Sequence, residues 1–255
     1  KFYKCINTEK QCSLGISFGS PYIFKQQDID AFKGNLINSH GAPLPEFKGG
    51  GGFSWRILQR DNRGSVLMHY VTTGIDEGSN VFRKDFTFSN GERFPIDFEE
   101  RQIKEESEHL IPWIKNIISS KVALEEITCN SAFKSDQESY FPRLYTDLHG
   151  SIDWSLPLQD LEIFVRAFSK PYRGAFTFIK GKKIRIMDIK PNKECYMHPS
   201  TYGIILNSKG NNLIVSCNGG TISINRENLI FEEGSLTVSC GDRFYTNNTI
   251  LQNRF

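Results

Sequence analysis

Three residues have types and spacing that could carry a reaction: Asn38, His40 and Asp76. Asn38 and His40 stand two apart in the run Asn38-Ser39-His40-Gly41-Ala42-Pro43-Leu44-Pro45, so in an extended chain their side chains share a face. A carboxamide and an imidazole placed this way can address one carbonyl, the amide N–H donating to a developing oxyanion while the imidazole handles the proton. Asp76 follows 36 residues after His40, in Thr73-Gly74-Ile75-Asp76-Glu77-Gly78. Its carboxylate can orient an imidazole and stabilise its charged form. Singly, each of these residue types is more often structural than catalytic. As a set they fit acyl transfer.

The elements that must position them read as an α/β pattern over the first hundred residues. Strands are expected at residues 12–18, 36–39, 65–71 and 81–88, with helices at 26–32 and 53–60. The second helix follows a glycine-rich loop at 48–52 and places Trp55 and Leu58 on one apolar face. This puts Asn38 and His40 at a strand end, where open α/β sheets bind ligands. Asp76 falls in the loop 72–79 between two later strands.

Residues 98–124 read as helical, with Ile103, Leu110, Ile111, Ile114, Ile117 and Ile118 forming an apolar face and Pro112 imposing a kink or a division into two shorter helices. Residues 130–148 read as a polar surface loop and 158–168 as a helix. After a turn at 171–176 come short strands at 182–189, 202–208, 211–217 and 220–224. The expected fold is α/β: a Rossmann-like domain at residues 1–150, a bridging helix and turn at 151–176, and a small β-rich, partly open barrel-like subdomain at 177–255.

Composition narrows the function classes. The chain has 255 residues, 38% hydrophobic and 24% charged, with a net charge of +2, which does not suggest a polyanion partner. Six cysteines, Cys5, Cys12, Cys129, Cys195, Cys217 and Cys240, show no C-x-x-C spacing, so neither a metal site nor a disulfide framework is signalled. No apolar run approaches a membrane span. A cytoplasmic protein with reduced thiols is expected.

Competing sites are weaker. Asp97, Glu99 and Glu100 could be hydrolase carboxylates but fit a solvated helix face, and the basic run 180–185 fits an exposed edge strand. His69 reads as a satisfied core residue or pocket wall, and His109, His149 and His198 as surface or loop residues.

The ordered motifs resemble a known family. ISFGSPYIF, then NSHGAPLPEFKGG, then TGIDEG, then IDWSLPLQDLEIFVRAFSKPYRGAFTF are similar to the N10-formyltetrahydrofolate-dependent formyltransferases over residues 12–185. The resemblance implies that Asn38 donates to the tetrahedral oxyanion, that His40 acts as base or stabilises the intermediate, and that Asp76 holds and polarises His40. It implies N10-formyltetrahydrofolate as cosubstrate, with no metal. The pterin would lie against Ser17, Phe18, Gly19, Tyr22 and Ile23 and against Val71, Thr72, Thr73, Gly74 and Ile75. Lys48 stands where relatives carry arginine, and Gly41-Ala42 where they carry Pro-Ser or Gly-Ser. The strand–helix units that open the family fold have no counterpart before Cys12, which implies an incomplete chain or a sheet edge covered another way.

Among the family's acceptors, a nucleotide-linked amino-deoxysugar fits best, carried by dTDP, GDP or UDP and destined for surface polysaccharide. Residues 176–255 exceed acidic by basic residues only by four, weak footing for tRNA. Lys48, Gly49 and Gly50 would meet a diphosphate, and Trp55, Tyr70 or Tyr172 would stack on a base; the alternative is that the aromatics are core and the glycines serve a turn. A methionyl-tRNA formyltransferase and a non-catalytic folate- or nucleotide-binding relative remain open. Neither nucleic acid nor membrane is expected as a partner, and a homodimer through apolar strands is conceivable.

Overall fold

The computed structural model describes residues 14–120, 138–232 and 234–254. These form two compact units that interleave in sequence. The first takes the chain up to Gly52, Asn62–Asn90 and Glu99–Arg143; the second takes Phe53–Asp61, Gly91–Phe98 and Leu144–Phe255.

In the first unit, β1 (Gly15–Phe18), β2 (Leu36–His40), β4 (Arg63–Tyr70) and β5 (Asn80–Thr87) fall close to the expected strands, and a short β3 (Lys48–Gly49) opens the segment expected as a loop; residues 12 and 13 lie outside the described ones. The sheet runs β1-β2-β4-β5, with β1 and β2 parallel and the other pairs antiparallel. It is a mixed α/β sheet. Alternation gives its faces opposite characters. Ile37, Val66, Met68 and Val81 form a buried cluster with Leu110 and Ile117, while Asn38, His40 and His69 point away from that core.

The helical segment differs from its expected reading. A helix at Pro95–Glu105 passes into a π-helical turn at Glu106–Leu110 and resumes as a helix at Ile111–Ser120. Gln102, Glu105 and Leu110 are buried, so the buried face takes a five-residue step at the π turn. That step turns Ile103 off the face of Leu110, and Ile103, Ile111 and Ile118 are exposed, contrary to the expected stripe. The proline ring at position 112 conflicts with the carbonyl four residues earlier, Glu108, which lies inside the π turn.

Residues 130–137 of the expected surface loop lie outside the described ones. The remainder is partly ordered: β6 (Tyr140–Phe141) pairs in parallel with β3, and a single helical turn spans Thr146–His149.

In the second unit, the helix Phe53–Leu58 packs on the helix Leu158–Ala167, anchored by a 2.8 Å bond from Ser54 Oγ to the Ala167 carbonyl. Ser54, Arg56 and Ile57 are buried, while Trp55 and Leu58, expected to share one apolar face, are partly buried. Strands β7 (Ala175–Ile179), β8 (Lys182–Ile186), β9 (Lys190–Glu194), β10 (Ile205–Asn207), β11 (Asn212–Cys217), β12 (Gly220–Asn225) and β13 (Leu229–Phe231) form two sheets, β10-β11-β12-β9 and β13-β8-β7. Neither is a closed barrel. His149, expected at the surface, is buried, with Nδ1 accepting from the Tyr145 amide at 2.8 Å.

Candidate active site

The site is built across β2 and β4. Register pairs Asn38 with Ser17 on β1 and with His69 on β4, so three polar side chains form a row on the face opposite the apolar cluster. The loop after β4 is closed by hydrogen bonds from the Val71 amide to the Leu36 carbonyl at 2.8 Å and from the Tyr70 amide to the Ser79 carbonyl at 3.0 Å. Within it Asp76 adopts a left-handed conformation, φ 52°, which aspartate tolerates better than most residues. Gly78 is obligatory by space, because a Cβ there would sit 1.7 Å from the Tyr70 carbonyl oxygen.

This loop brings Asp76 to both imidazoles. His40 Nδ1 lies 3.6 Å from Asp76 Oδ2, and His69 Nε2 lies 3.3 Å from Asp76 Oδ1. The Gly49 amide donates to Asp76 Oδ2 at 2.8 Å. Burial alone would push the Asp76 carboxyl up. The hydrogen bond from His69, the charge of His40, the Gly49 amide and the charge of His69 outweigh it and hold the group below its ordinary value.

His40 Nε2 lies 2.8 Å from the Phe47 carbonyl oxygen, which only accepts, so Nε2 carries a hydrogen and Nδ1 is the exchangeable position. A proton taken there would face an anion. Asn38 Nδ2 lies 3.4 Å from His69 Nε2. The structure therefore gathers Asn38, His40 and Asp76 into one cluster and adds His69, read from the sequence as a core residue or pocket wall.

The remaining candidate residues are placed as follows. Lys48 is buried, its ammonium 3.9 Å from Glu77 Oε1 and in direct contact with Glu138 Oε1. The Gly50 amide donates to the Phe141 carbonyl at 2.7 Å, and a Cβ on Gly50 would sit 2.6 Å from the Arg143 Cα. The glycine run thus lets this segment lie against residues 140–143, and the amides of Gly49 and Gly50 already have acceptors. Tyr70 packs against the apolar cluster. Trp55 and Tyr172 belong to the second unit. Glu138, partner of Lys48, was not singled out in the sequence, and nothing in local spacing marks it.

Of the expected pterin-binding segments, Ser17 is buried with its hydroxyl lacking a partner among the described residues. Phe18, Tyr22, Ile23 and Ile75 are exposed apolar side chains, and Gly19 has φ 54°. Tyr22 donates its hydroxyl to Asp28 at 3.0 Å. Thr72 and Thr73 are exposed, Val71 and Gly74 partly so. The two segments leave β2's neighbours at opposite ends, β1 beside Ser39 and β4 beside Ile37. Among the described residues no group of His, Cys, Asp and Glu is arranged to hold a metal, and no helix is long and apolar enough to cross a membrane.

Residues 146–234 match the family model described as formyl transferase, C-terminal domain, downstream of the Asn38, His40 and Asp76 cluster. The chain is thus similar to formyltransferases, by a match over about a third of its length. The chain is 29% identical over 195 residues to the bifunctional polymyxin resistance protein ArnA of Wigglesworthia glossinidia brevipalpis, an alignment covering 74% of the chain and 27% of that protein. It is 26% identical over 231 residues to the methionyl-tRNA formyltransferase of Geotalea uraniireducens, covering 89% and 67%. An N-formyltransferase from Helicobacter canadensis, solved with folinic acid and dTDP-3-aminofucose, superposes with a TM-score of 0.57 at 20% identity, covering 82% of the chain and 72% of that structure. At that identity the likeness is one of fold. The chain spans about a quarter of the bifunctional relative and about two thirds of the methionyl-tRNA enzyme.

Proposed function

We propose that this chain transfers a formyl group from N10-formyltetrahydrofolate to the amine of a nucleotide-linked amino-deoxysugar, yielding a formamido sugar for surface polysaccharide. The observation that carries the reading is the Asp76 carboxylate held between His40 and His69, with Asn38 beside them. Bound folate supplies the formyl carbon and the nitrogen that leaves. Asn38 donates an N–H to the oxyanion formed as the amine adds to that carbon. His40 accepts the proton released by the attacking nitrogen, and Asp76 stabilises the resulting imidazolium. The exposed Phe18, Tyr22 and Ile23 after β1 suit a flat heteroaromatic ring, and the buried Ser17 hydroxyl, without a partner among the described residues, is a polar group able to receive one.

For the acceptor, the proposal rests on the small basic excess of residues 176–255 and on the fold shared with an enzyme solved with an aminosugar nucleotide. Lys48 meets a diphosphate only by exchanging Glu138 for it. The setting would be cytoplasmic, and an exposed Leu206 on β10 is the kind of residue a homodimer would cover. A second reading, formylation of a charged initiator tRNA, is favoured by the methionyl-tRNA formyltransferase alignment along most of the chain.

Incubation with 10-formyltetrahydrofolate, a panel of nucleotide-linked amino sugars and charged initiator tRNA, followed by product mass, separates these readings. Formylation of a sugar is the expected result. Formylation of tRNA alone would reverse the choice of acceptor.

A further inference from the structure

His69 stands where β4 shifts register against β5, directly across from Asn38, and is 3% exposed. Its Nδ1 lies 2.8 Å from the Tyr70 carbonyl oxygen, an atom that only accepts, so Nδ1 carries a hydrogen. Nε2 is left as the position that is either bare or protonated. It lies between a donor and an acceptor, 3.4 Å from Asn38 Nδ2 and 3.3 Å from Asp76 Oδ1. Bare, it accepts from the carboxamide; protonated, it donates to the carboxylate. A histidine that only filled the sheet would have no reason to set its second nitrogen between two members of a candidate reaction centre.

We propose that His69 is a positioning residue, which through one nitrogen ties the oxyanion donor Asn38 to the carboxylate that governs His40. The aim of the amide and the state of the His40–Asp76 pair are then set together. This rests on the formyl-transfer reading for its meaning, though the arrangement itself can be tested without it. The groups facing the cluster are His40 from β2, with its ring centroid 6.3 Å from that of His69, Asp76 from the loop after β4, the Gly49 amide from β3, and the Tyr70 carbonyl from β4. Lys48 lies one step further out, paired with Glu77 and Glu138.

The test compares His69→Gln with His69→Phe. A glutamine amide can offer an N–H to Asp76 and an oxygen to the Asn38 amide at once, without a titrating proton. A phenylalanine keeps a ring of similar volume and offers neither. The phenylalanine variant is expected to lose about tenfold to a hundredfold in kcat, the scale of a misplaced reacting group, with KM for the folate within about twofold. The glutamine variant is expected to keep about tenfold more activity than the phenylalanine variant.

The second readout is the titration of the His40 ring by NMR, which needs neither formyl donor nor acceptor. With Nε2 of residue 69 gone, Asp76 is left to His40 and the Gly49 amide, so the His40 midpoint should rise in the phenylalanine variant and by less in the glutamine variant. A phenylalanine variant as active as the glutamine one, or a His40 midpoint left in place, overturns the proposal, because a space-filling role is served by the apolar ring. A wild-type protein that transfers no formyl group defeats the proposed activity instead, and the His40 titration still decides the role of His69.

Discussion

The Asp76 cluster of the first unit and the Arg185 cluster of the second both bury charge against a sheet, and they solve the problem differently. Arg185 is 2% exposed, and each part of its guanidinium meets a fixed acceptor: Nε lies 2.6 Å from Glu232, Nη1 lies 3.2 Å from the Gly174 carbonyl, and Nη2 contacts Asp147 and Glu232. Lys183 and Arg173 add charge around the same carboxylates, with Lys183 Nζ 4.2 Å from the Phe176 ring centre. Nothing there has two protonation states that choose between partners. Around Asp76, two imidazoles each have one nitrogen committed to a carbonyl and one facing the carboxylate. Buried charge alone does not mark a reaction centre; buried groups with an exchangeable proton and competing partners do.

The sharpest way to break that contrast is to truncate the first cluster. Asn38→Ala and His40→Ala should each lower turnover by about a hundredfold or more, the usual cost of an oxyanion donor or a general base, with the protein still folded. Formyl transfer near the wild-type rate in either variant would remove the distinction. Arg185→Ala should do the reverse. We expect it to cost about 2 to 4 kcal/mol of stability by denaturant unfolding, from the emptied volume and the carboxylates left unpaired, with kcat unchanged. Arg185→Met should recover only the part of that loss due to the emptied volume, since it too leaves Asp147 and Glu232 without their guanidinium. A methionine variant no more stable than the alanine variant would mean that the charge itself holds the sheet.

Much of the first cluster was legible because its residues are close in sequence or carried by recognisable motifs. Short apolar runs placed β2, β4 and β5 to within a residue or two and the end of β1, and alternation put Asn38 and His40 on one face. His69 was not legible as a partner because its neighbour is set by register across β2 and β4, 31 residues away, and its own run, SVLMHYV, reads as uniformly buried strand. Lys48 and Glu138 are 90 residues apart, and the two-residue strands that bring them together are too short to show a period. The apolar stripe from Ile103 onward failed for a different reason: a helical wheel assumes constant pitch, and the π turn at Glu106–Leu110 breaks it. The helix Phe53–Leu58 turns Ser54, Arg56 and Ile57 inward and leaves Trp55 and Leu58 partly buried, a choice made by the helix it packs on rather than by its own apolar residues.

The smallest effect separates the two clusters by their solvent. Asp76 and Asp147 are both held below the ordinary carboxylate value, Asp76 against the opposing push of burial by His69, His40 and Gly49, and Asp147 by its hydrogen bond from Arg185 and by Arg173 and Lys183. A carboxyl depressed in the fold binds protons less readily than in the unfolded chain. Its stabilisation is therefore present above the ordinary value of 3.8 and is lost as pH falls through the lower folded value. Asp76→Asn and Asp147→Asn should each flatten the fall of Tm on acidification, and asparagine tolerates the left-handed backbone at position 76. Salt distinguishes them. The Asp147 side chain is 55% exposed and that of Asp76 12%, so about 0.5 M salt should erase the Asp147→Asn difference while leaving that of Asp76→Asn. Equal salt sensitivity in the two variants would show that solvent reaches Asp76 as freely as it reaches Asp147, and a carboxylate so screened could not hold His40 in its charged form.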